Sequence, residues 1–344
     1  MKTLRLDPNK DENAVLKAAD IIKRGGLVAM PTETVYGLAA NAFDTAAVKK
    51  IFEAKGRPQD NPLIVHIADI SMLDELCKDI SDTARKIASA FWPGPLTVIL
   101  KKRAVIPDIV TCGLDSVGVR FPSHKTAQAL IRATGLPLAA PSANTSGRPS
   151  PTAASHVLMD MDGRIDAVLD GGECEIGVES TVLDLTGSVP VILRPGGVTL
   201  EMIRTVSPDA KAGDFNRVPS ADERVLSPGM KYRHYAPKAP VTLITGSADD
   251  VFRYIEAHTE NKTLGIMCFE EYEPLFRALT PFIHTYGRRG DMLSQSSHIF
   301  AALRAFDAEP ARKIFVYADA DTSGLGMAIN NRLSKAAGFD IVTL

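Results

Sequence analysis

Short apolar runs of three to six residues recur along this chain, and what separates them decides its architecture. In the first 200 residues they fall at Leu27–Met30, Pro62–Ile67, Leu96–Leu100, Val117–Phe121, Leu136–Ala140, Ala167–Leu169, Thr181–Leu185 and Val189–Leu193. Several follow one another with no helical pattern between them. That argues against a purely parallel sheet, which needs a crossover after every strand, and predicts a mixed one. Helical patterns punctuate the series. Asp11 is placed to cap a helix with Val15, Ala18, Ala19 and Ile22 on one face and Gly25 at its end. Asp44 is placed to cap a second, with Ala47, Val48, Ile51 and Phe52 facing in, and one long helix is expected from about Ser71 to Phe91. Beyond residue 240 the rhythm changes. Runs at Val241–Thr245, Leu264–Cys268, Phe282–Tyr286, Lys313–Ala318 and Ile341–Leu344 alternate strictly with helical patterns near 248–259, 270–279, 294–307 and 325–337. Such alternation predicts a smaller, Rossmann-like doubly wound α/β domain.

A chain of 344 residues accommodates two domains of ordinary size. The expected division is 1–205, a linker over 206–239, and 240–344. Composition is that of a globular protein, 45% hydrophobic and 23% charged, and a net charge of -2 argues against nucleic-acid binding through the whole surface. Cys77, Cys112, Cys174 and Cys268 are scattered, with no C-x-x-C pair to suggest zinc or a disulfide framework. Met1 to Asn13 is polar, unlike a signal peptide, and no apolar run nears the roughly 18 residues of a membrane span. A cytoplasmic location is expected. The second domain lacks G-x-G-x-x-G after its first strand, and G-x-x-x-x-G-K-[ST] is absent throughout, so its shape does not license a dinucleotide. No G-x-S-x-G elbow supports hydrolysis, and no cysteine sits in an electropositive motif.

Five polar segments interrupt the strand series. Lys55-Gly56-Arg57-Pro58 leads into Asn61-Pro62-Leu63-Ile64-Val65-His66, where two cations flanking a glycine make an anion-binding corner. Pro31-Thr32-Glu33-Thr34-Val35-Tyr36-Gly37-Leu38 follows the first strand, and Pro141-Ser142-Ala143-Asn144 follows a later one. Glu179-Ser180-Thr181-Val182 and Leu193-Arg194-Pro195-Gly196 complete the set. Singly, each has an ordinary explanation. Cations at a helix end answer the macrodipole, Pro141–Asn144 reads as a turn, His66 as a core histidine, and Arg120 as half of a salt bridge.

Together and in this order, the segments resemble the YrdC-like family, specifically its two-domain threonylcarbamoyl-AMP synthases. The resemblance runs from about Asn13 to Gly197 and resumes at Gly324-Leu325-Gly326-Met327-Ala328-Ile329-Asn330-Asn331-Arg332-Leu333. It implies a YrdC-like catalytic domain with a twisted mixed sheet and flanking helices. The implied reaction takes L-threonine, bicarbonate and ATP to threonylcarbamoyl-adenylate and pyrophosphate, the first step towards N6-threonylcarbamoyladenosine at position 37 of tRNA. By the same resemblance Lys55 and Arg57 act at the reacting centre. Thr34, His66, Arg120, Ala140 and Ser180 match threonine-binding positions. Arg57, Asn61, Ser116, Ser142, Asn144, Ser150, Arg194 and Tyr235 match ATP-binding ones. Mg²⁺ is expected with the ATP, although no acidic ligand pair marks where a metal would sit. The linker's end, Ser227 to Pro237, matches a segment that closes over the nucleotide in related synthases. Expected partners are ATP, threonine and bicarbonate, with tRNA and the downstream threonylcarbamoyl-transfer complex further on and no membrane. Two rivals remain. A carbamoyltransferase working through carbamoyl-adenylate would carry an acylphosphatase-like domain and paired-cysteine zinc motifs, both absent here. A double-stranded RNA or tRNA-binding module would rest on Lys101-Lys102-Arg103 and Arg288-Arg289, the compact basic runs.

Overall fold

The computed structural model describes residues 2–215, 234–258, 263–320 and 323–344. It divides into two compact units. The second takes Gly147–Ser150, Ile176–Val178 and the described residues from 234 onward, and the first holds the rest.

Eleven strands form the first unit's sheet: β1 (Leu4–Leu6), β2 (Val28–Met30), β3 (Gly37–Asn41), β4 (Ile64–His66), β5 (Leu96–Lys101), β6 (Ser116–Arg120), β7 (Leu138–Ala139), β8 (Ala167–Leu169), β9 (Thr181–Asp184), β10 (Val191–Arg194) and β11 (Lys211–Ala212). Their order is β1-β8-β2-β3-β7-β4-β6-β5-β9-β10-β11, with β4/β6 and β5/β9 parallel and β4/β7, β5/β6 and β9/β10 antiparallel. The sheet is mixed, as the spacing of the apolar runs predicts.

Side-chain alternation sorts the two faces. Val65 of β4, Val119 of β6, Val98 of β5, Leu183 of β9 and Ile192 of β10 join Val48, Ile51 and Phe52 of the helix α1 (Thr45–Lys55) in one apolar cluster. Burying each such side chain contributes roughly 1.5–3 kcal/mol. The intervening residues point the other way, and His66, Thr97 and Arg120 are among them, beside the apolar Ile64, Ile99 and Val182. A second cluster joins Ala18 and Ile22 of helix Ala14–Lys23, and Leu130 and Ile131 of helix Lys125–Thr134, to the strands at the other end of the sheet.

Some expectations need correction. The single helix over Ser71–Phe91 is two, Ser71–Leu76 and Asp82–Phe91. Cys77 leaves the helix in extended geometry and bridges to Lys102, and the Ser81 hydroxyl caps the second helix at the Ala84 N–H. Asp11 does not cap the first helix, which begins at Ala14. Its carboxylate turns to the Asn13 N–H and the Lys17 ammonium. Asp44 does cap α1, accepting from the N–H groups of Ala46 and Ala47. Helices Lys125–Thr134 and Ala154–Met161 have no counterpart in the sequence reading.

In the second unit β12 (Val241–Thr245), β13 (Leu264–Cys268), β14 (Phe282–Thr285), β15 (Lys313–Tyr317) and β16 (Ile341–Thr343) form an all-parallel sheet in the order β14-β13-β15-β12-β16. Every residue of β12 and β13 is buried, as continuous apolar runs in a parallel sheet require. Ser247 and Asp291 cap the helices Ala248–Ala257 and Met292–Ala305. The helix expected over 270–279 is shorter, a 3₁₀ turn at Glu270–Tyr272 running into Glu273–Phe276.

Gly196 shows how closely β9 and β10 are joined. A Cβ there would lie 2.3 Å from the Thr181 nitrogen and 2.6 Å from the Glu179 carbonyl oxygen. Gly196→Ala is expected to destabilise the protein by roughly 1–3 kcal/mol, as overpacking does. A urea midpoint equal to wild type would show instead that this connection has slack.

Candidate active site

One lateral row crosses five neighbouring strands. His66 of β4 is the register partner of Arg120 of β6, Arg120 of Thr97 of β5, Thr97 of Val182 of β9, and Val182 of Arg194 of β10. All five belong to the face opposite the apolar cluster. Arg194 reaches it through an irregularity. Ile192 pairs with Leu183 on the apolar face, and strict alternation would send Arg194 to that side as well. A register shift between Ile192 and Arg194 pairs Arg194 with Val182 and turns its side chain to the polar face.

Arg120 is 4% exposed and so must be compensated within the fold. Its Nη2 lies 2.8 Å from Glu33 Oε1, and its Nη1 donates to Thr34 Oγ1 at 2.8 Å. Burial pushes the Glu33 carboxyl up, but the charge and hydrogen bond of Arg120, with backbone donors, outweigh it and hold the group below the usual carboxylate range. The loop carrying both partners is stitched by Thr32, whose Oγ1 accepts from the N–H groups of Thr34 and Val35 and donates to the Val35 carbonyl. Burial, and then the neighbouring Arg120, push the His66 imidazole down to about 3, so it is neutral at physiological pH.

Beside Thr97, Ser180 Oγ lies 2.8 Å from Thr97 Oγ1 and accepts from Arg194 Nη2 at 3.2 Å. The same guanidinium donates twice to the Ser180 carbonyl.

Lys55 ends α1, and Gly56 stops the helix in the left-handed region at φ 60°. The Lys55 ammonium, 1% exposed, donates to the carbonyls of Ser142 and Asn144 at 2.5 and 2.6 Å. It shapes the Pro141–Asn144 turn, which is also tied to β3 by Leu38 N–H donating to the Pro141 carbonyl and Ala143 N–H to that of Tyr36. Ala140 N–H donates to the Ile64 carbonyl, so the turn starts beside β4. Arg57 donates to the carbonyls of Asn61 and Pro62, ordering the entry to β4. Asn61 Oδ1 is buried with no hydrogen-bond partner among the described residues.

Three of the expected site residues are not members of this row. Ser116 shares its face but begins β6, four residues from Arg120, about 13 Å along a strand. It lines both a small hollow over Gly118 and a groove of about 910 Å³ flanked by Lys78, Lys101, Lys102 and Arg103. Ser150 and Tyr235 belong to the second unit. There Ala236 N–H donates to the Gly147 carbonyl, and the Tyr235 ring packs 5.1 Å from Phe300 and under the Arg332 guanidinium. Of the segment Ser227 to Pro237, positions 227–233 lie outside the described residues. The basic runs meet carboxylates: Lys101 with Asp79, Lys102 with Asp108, Arg288 with Glu270 and Arg289 with Asp319. Among the described residues no three His, Cys, Asp or Glu side chains gather to hold a metal, and no helix is long and apolar enough to cross a membrane.

The sequence reading missed Glu33 and Thr97. Glu33 lies inside the Pro31–Leu38 segment, where no neighbouring residue in the sequence marks its partner. The signal for Thr97 was its place between Leu96 and Val98, which period-two alternation puts on the face away from both.

A mixed sheet with one polar face built on buried arginines and hydroxyls, followed by a parallel α/β unit, defines a two-unit YrdC-like class of protein. Residues 20–196 match the family described as Telomere recombination, and residues 198–338 match the threonylcarbamoyl-AMP synthase C-terminal domain. The chain is 47% identical to the threonylcarbamoyl-AMP synthase of Bacillus subtilis over 95% of this chain and 94% of that one. It is likewise 47% identical to that of Pyrococcus abyssi, over 94% of each. The crystal structure of Pyrococcus abyssi Sua5 complexed with L-threonine superposes with a TM-score of 0.91 at 43% identity and covers 100% of both chains. The chain belongs to the threonylcarbamoyl-AMP synthase family.

The His66 imidazole gives a pH signature. Its folded value lies below its unfolded value near 6.5, so its contribution is complete above that pH and is lost as pH falls towards about 3. Between pH 7.5 and 5 it accounts for about 2 kcal/mol of lost stability. Urea titrations of wild type and His66→Gln over that range are expected to diverge by this amount, the variant losing less. Parallel curves would mean that His66 takes up its proton as readily in the folded protein as in the unfolded chain.

Proposed function

We propose that this chain joins L-threonine, bicarbonate and ATP into L-threonylcarbamoyladenylate, with release of pyrophosphate and water. The threonine nitrogen bonds to the carbon of CO2 and gives a carbamate. A carbamate oxygen then attacks the α-phosphorus of ATP as pyrophosphate leaves, which makes the enzyme a nucleotidyltransferase. The observation that carries this reading is the polar row itself, with Arg120, Thr97 and Arg194 in register and Ser180 beside them.

Such chemistry asks for charge compensation and positioning and for no covalent nucleophile. Arg120, braced by Thr34, meets the amino acid's carboxylate, and Ser180 completes that end. Neutral His66 and the Ala140 backbone bound the same pocket without adding charge. Arg57, Arg194, Ser142 and Asn144 face the phosphates, and Asn61, whose buried Oδ1 is an acceptor, takes a donor group of the nucleotide. Lys55 acts on the reacting centre by setting the Ser142–Asn144 turn. Ser116, farther along β6, suits the nucleoside end. Among the described residues the side chains form no carboxylate cage for a divalent ion, so Mg²⁺ would enter with the ATP, where its charge would neutralise the triphosphate. The product is a mixed anhydride, and its consumer is a transfer complex that acylates adenosine 37 of tRNA in the cytoplasm.

Purified protein given ATP, Mg²⁺, bicarbonate and labelled threonine is expected to release pyrophosphate only when threonine is present and to form a labelled adenylate. Release that ignores threonine would overturn the proposal. Amino-acid choice tests the pocket more finely. A site that hydrogen-bonds a substrate hydroxyl rejects the analogue lacking it strongly, so valine is expected to react at least about 100-fold less efficiently, while serine loses only one methyl contact, roughly 1–3 kcal/mol. Equal turnover of valine and threonine would place the hydroxyl outside the recognition site.

A further inference from the structure

We infer that Thr97 is a positioning residue that fixes the Ser180 hydroxyl as a hydrogen-bond donor into the amino-acid pocket. The inference rests on the proposed function, since it concerns the same pocket.

A hydroxyl has one hydrogen and two acceptor lone pairs. Arg194 Nη2 donates into Ser180 Oγ at 3.2 Å and occupies one lone pair. The 2.8 Å contact with Thr97 Oγ1 admits either direction. Thr97 is fully buried, and Ser180 is its side chain's one hydrogen-bond partner among the described residues. If Ser180 donated to Thr97, the threonine hydrogen would be buried without an acceptor, at the desolvation cost of an unpaired donor. If Thr97 donates, its hydrogen is satisfied and both Ser180 lone pairs are filled. The Ser180 hydrogen, on a residue 1% exposed, is then the one left for a bound substrate to accept, whereas a Thr97 hydrogen would face no substrate. Locked in that state, Ser180 gives the substrate a hydrogen bond and takes none from it, so it reads an anionic oxygen in the substrate, the partner class that Arg120 also serves from β6, the strand beside that of Thr97.

The orientation of Thr97 is itself set by packing. Its Cγ2 sits over Gly118, where an added Cβ would be 3.2 Å away. A β-branched side chain on a strand has few rotamers to choose from, so the hydroxyl stays aimed at Ser180. No covalent step is assigned to Thr97, because its hydroxyl meets only Ser180.

Thr97→Val keeps the shape and removes the hydroxyl, and Thr97→Ser keeps the hydroxyl and removes the methyl. Threonine KM, ATP KM and kcat are measured by pyrophosphate release on the full chain. Thr97→Val is expected to raise the threonine KM about tenfold or more, with ATP KM within about twofold. Thr97→Ser is expected to return the threonine KM to within about threefold of wild type. A Ser180→Ala background should abolish the effect of Thr97→Val, because no hydroxyl is left to orient. Should Thr97→Val not fold, Thr97→Ala carries the same expectation. An unchanged threonine KM in the valine variant, an equal loss in the serine variant, or an equal rise in ATP KM would each overturn the inference. Wild-type protein that releases no pyrophosphate in response to threonine would overturn the proposed function instead, which separates the two failures.

Discussion

The polar face depends on the buried guanidinium of Arg120. A charge at 4% exposure is tolerated only when its partners are fixed in place, and Glu33 and Thr34 supply them from one short loop. That loop is in turn clamped on both sides. Thr32 closes it internally, the Tyr36 N–H donates to the Pro151 carbonyl, and the Tyr36 carbonyl accepts from Ala143. The Tyr36 hydroxyl reaches the Gly172 carbonyl at 2.7 Å. Breaking a buried pair by removing one partner costs about 3–5 kcal/mol, so these contacts hold the fold and the pocket at once.

The site is thereby preorganised for anions at little cost in reorganisation. Arg120 and Arg194 sit at fixed points of one row, three strands apart in sheet order, and each is held by acceptors of the protein itself. Lys55 contributes differently. Its charge is directed at two backbone carbonyls, and the turn it gathers presents Ser142 and Asn144. Cation and turn therefore act as one unit, a division of labour suited to a reaction whose difficulty is mutual repulsion of anions rather than bond activation.

Much of this was legible before the structure. The mixed sheet followed from strands lacking intervening helices, and the parallel unit from strict alternation, because crossover connections leave that mark in any chain. The Asp44 cap was readable from its place before an amphipathic run. The failures have physical causes too. The Ser71–Phe91 pattern stays amphipathic across a break, so periodicity alone missed the point where Cys77 pairs with Lys102 and Ser81 starts a new helix. Asp11 lost its expected cap because the Asn13 N–H and the Lys17 ammonium took its carboxylate. Thr97 was hidden because one hydroxyl among apolar neighbours reads as an ordinary strand residue until its face is known.

What the sequence by itself determined is the set of local choices: which runs are strands, where turns fall, and which segments bear cations and hydroxyls. Those follow from backbone sterics, capping and side-chain period, all of which act over a few residues. What only the tertiary structure decided is partnership. Arg120 meets Glu33 across 87 positions of chain, and Thr97 meets Ser180 across 83. Arg194 turns to the polar face because the β9–β10 register shifts between Ile192 and Arg194, against the alternation that the strand would otherwise keep. Register is a property of two strands together, set by how both bury their apolar faces, so it could not be read from either one.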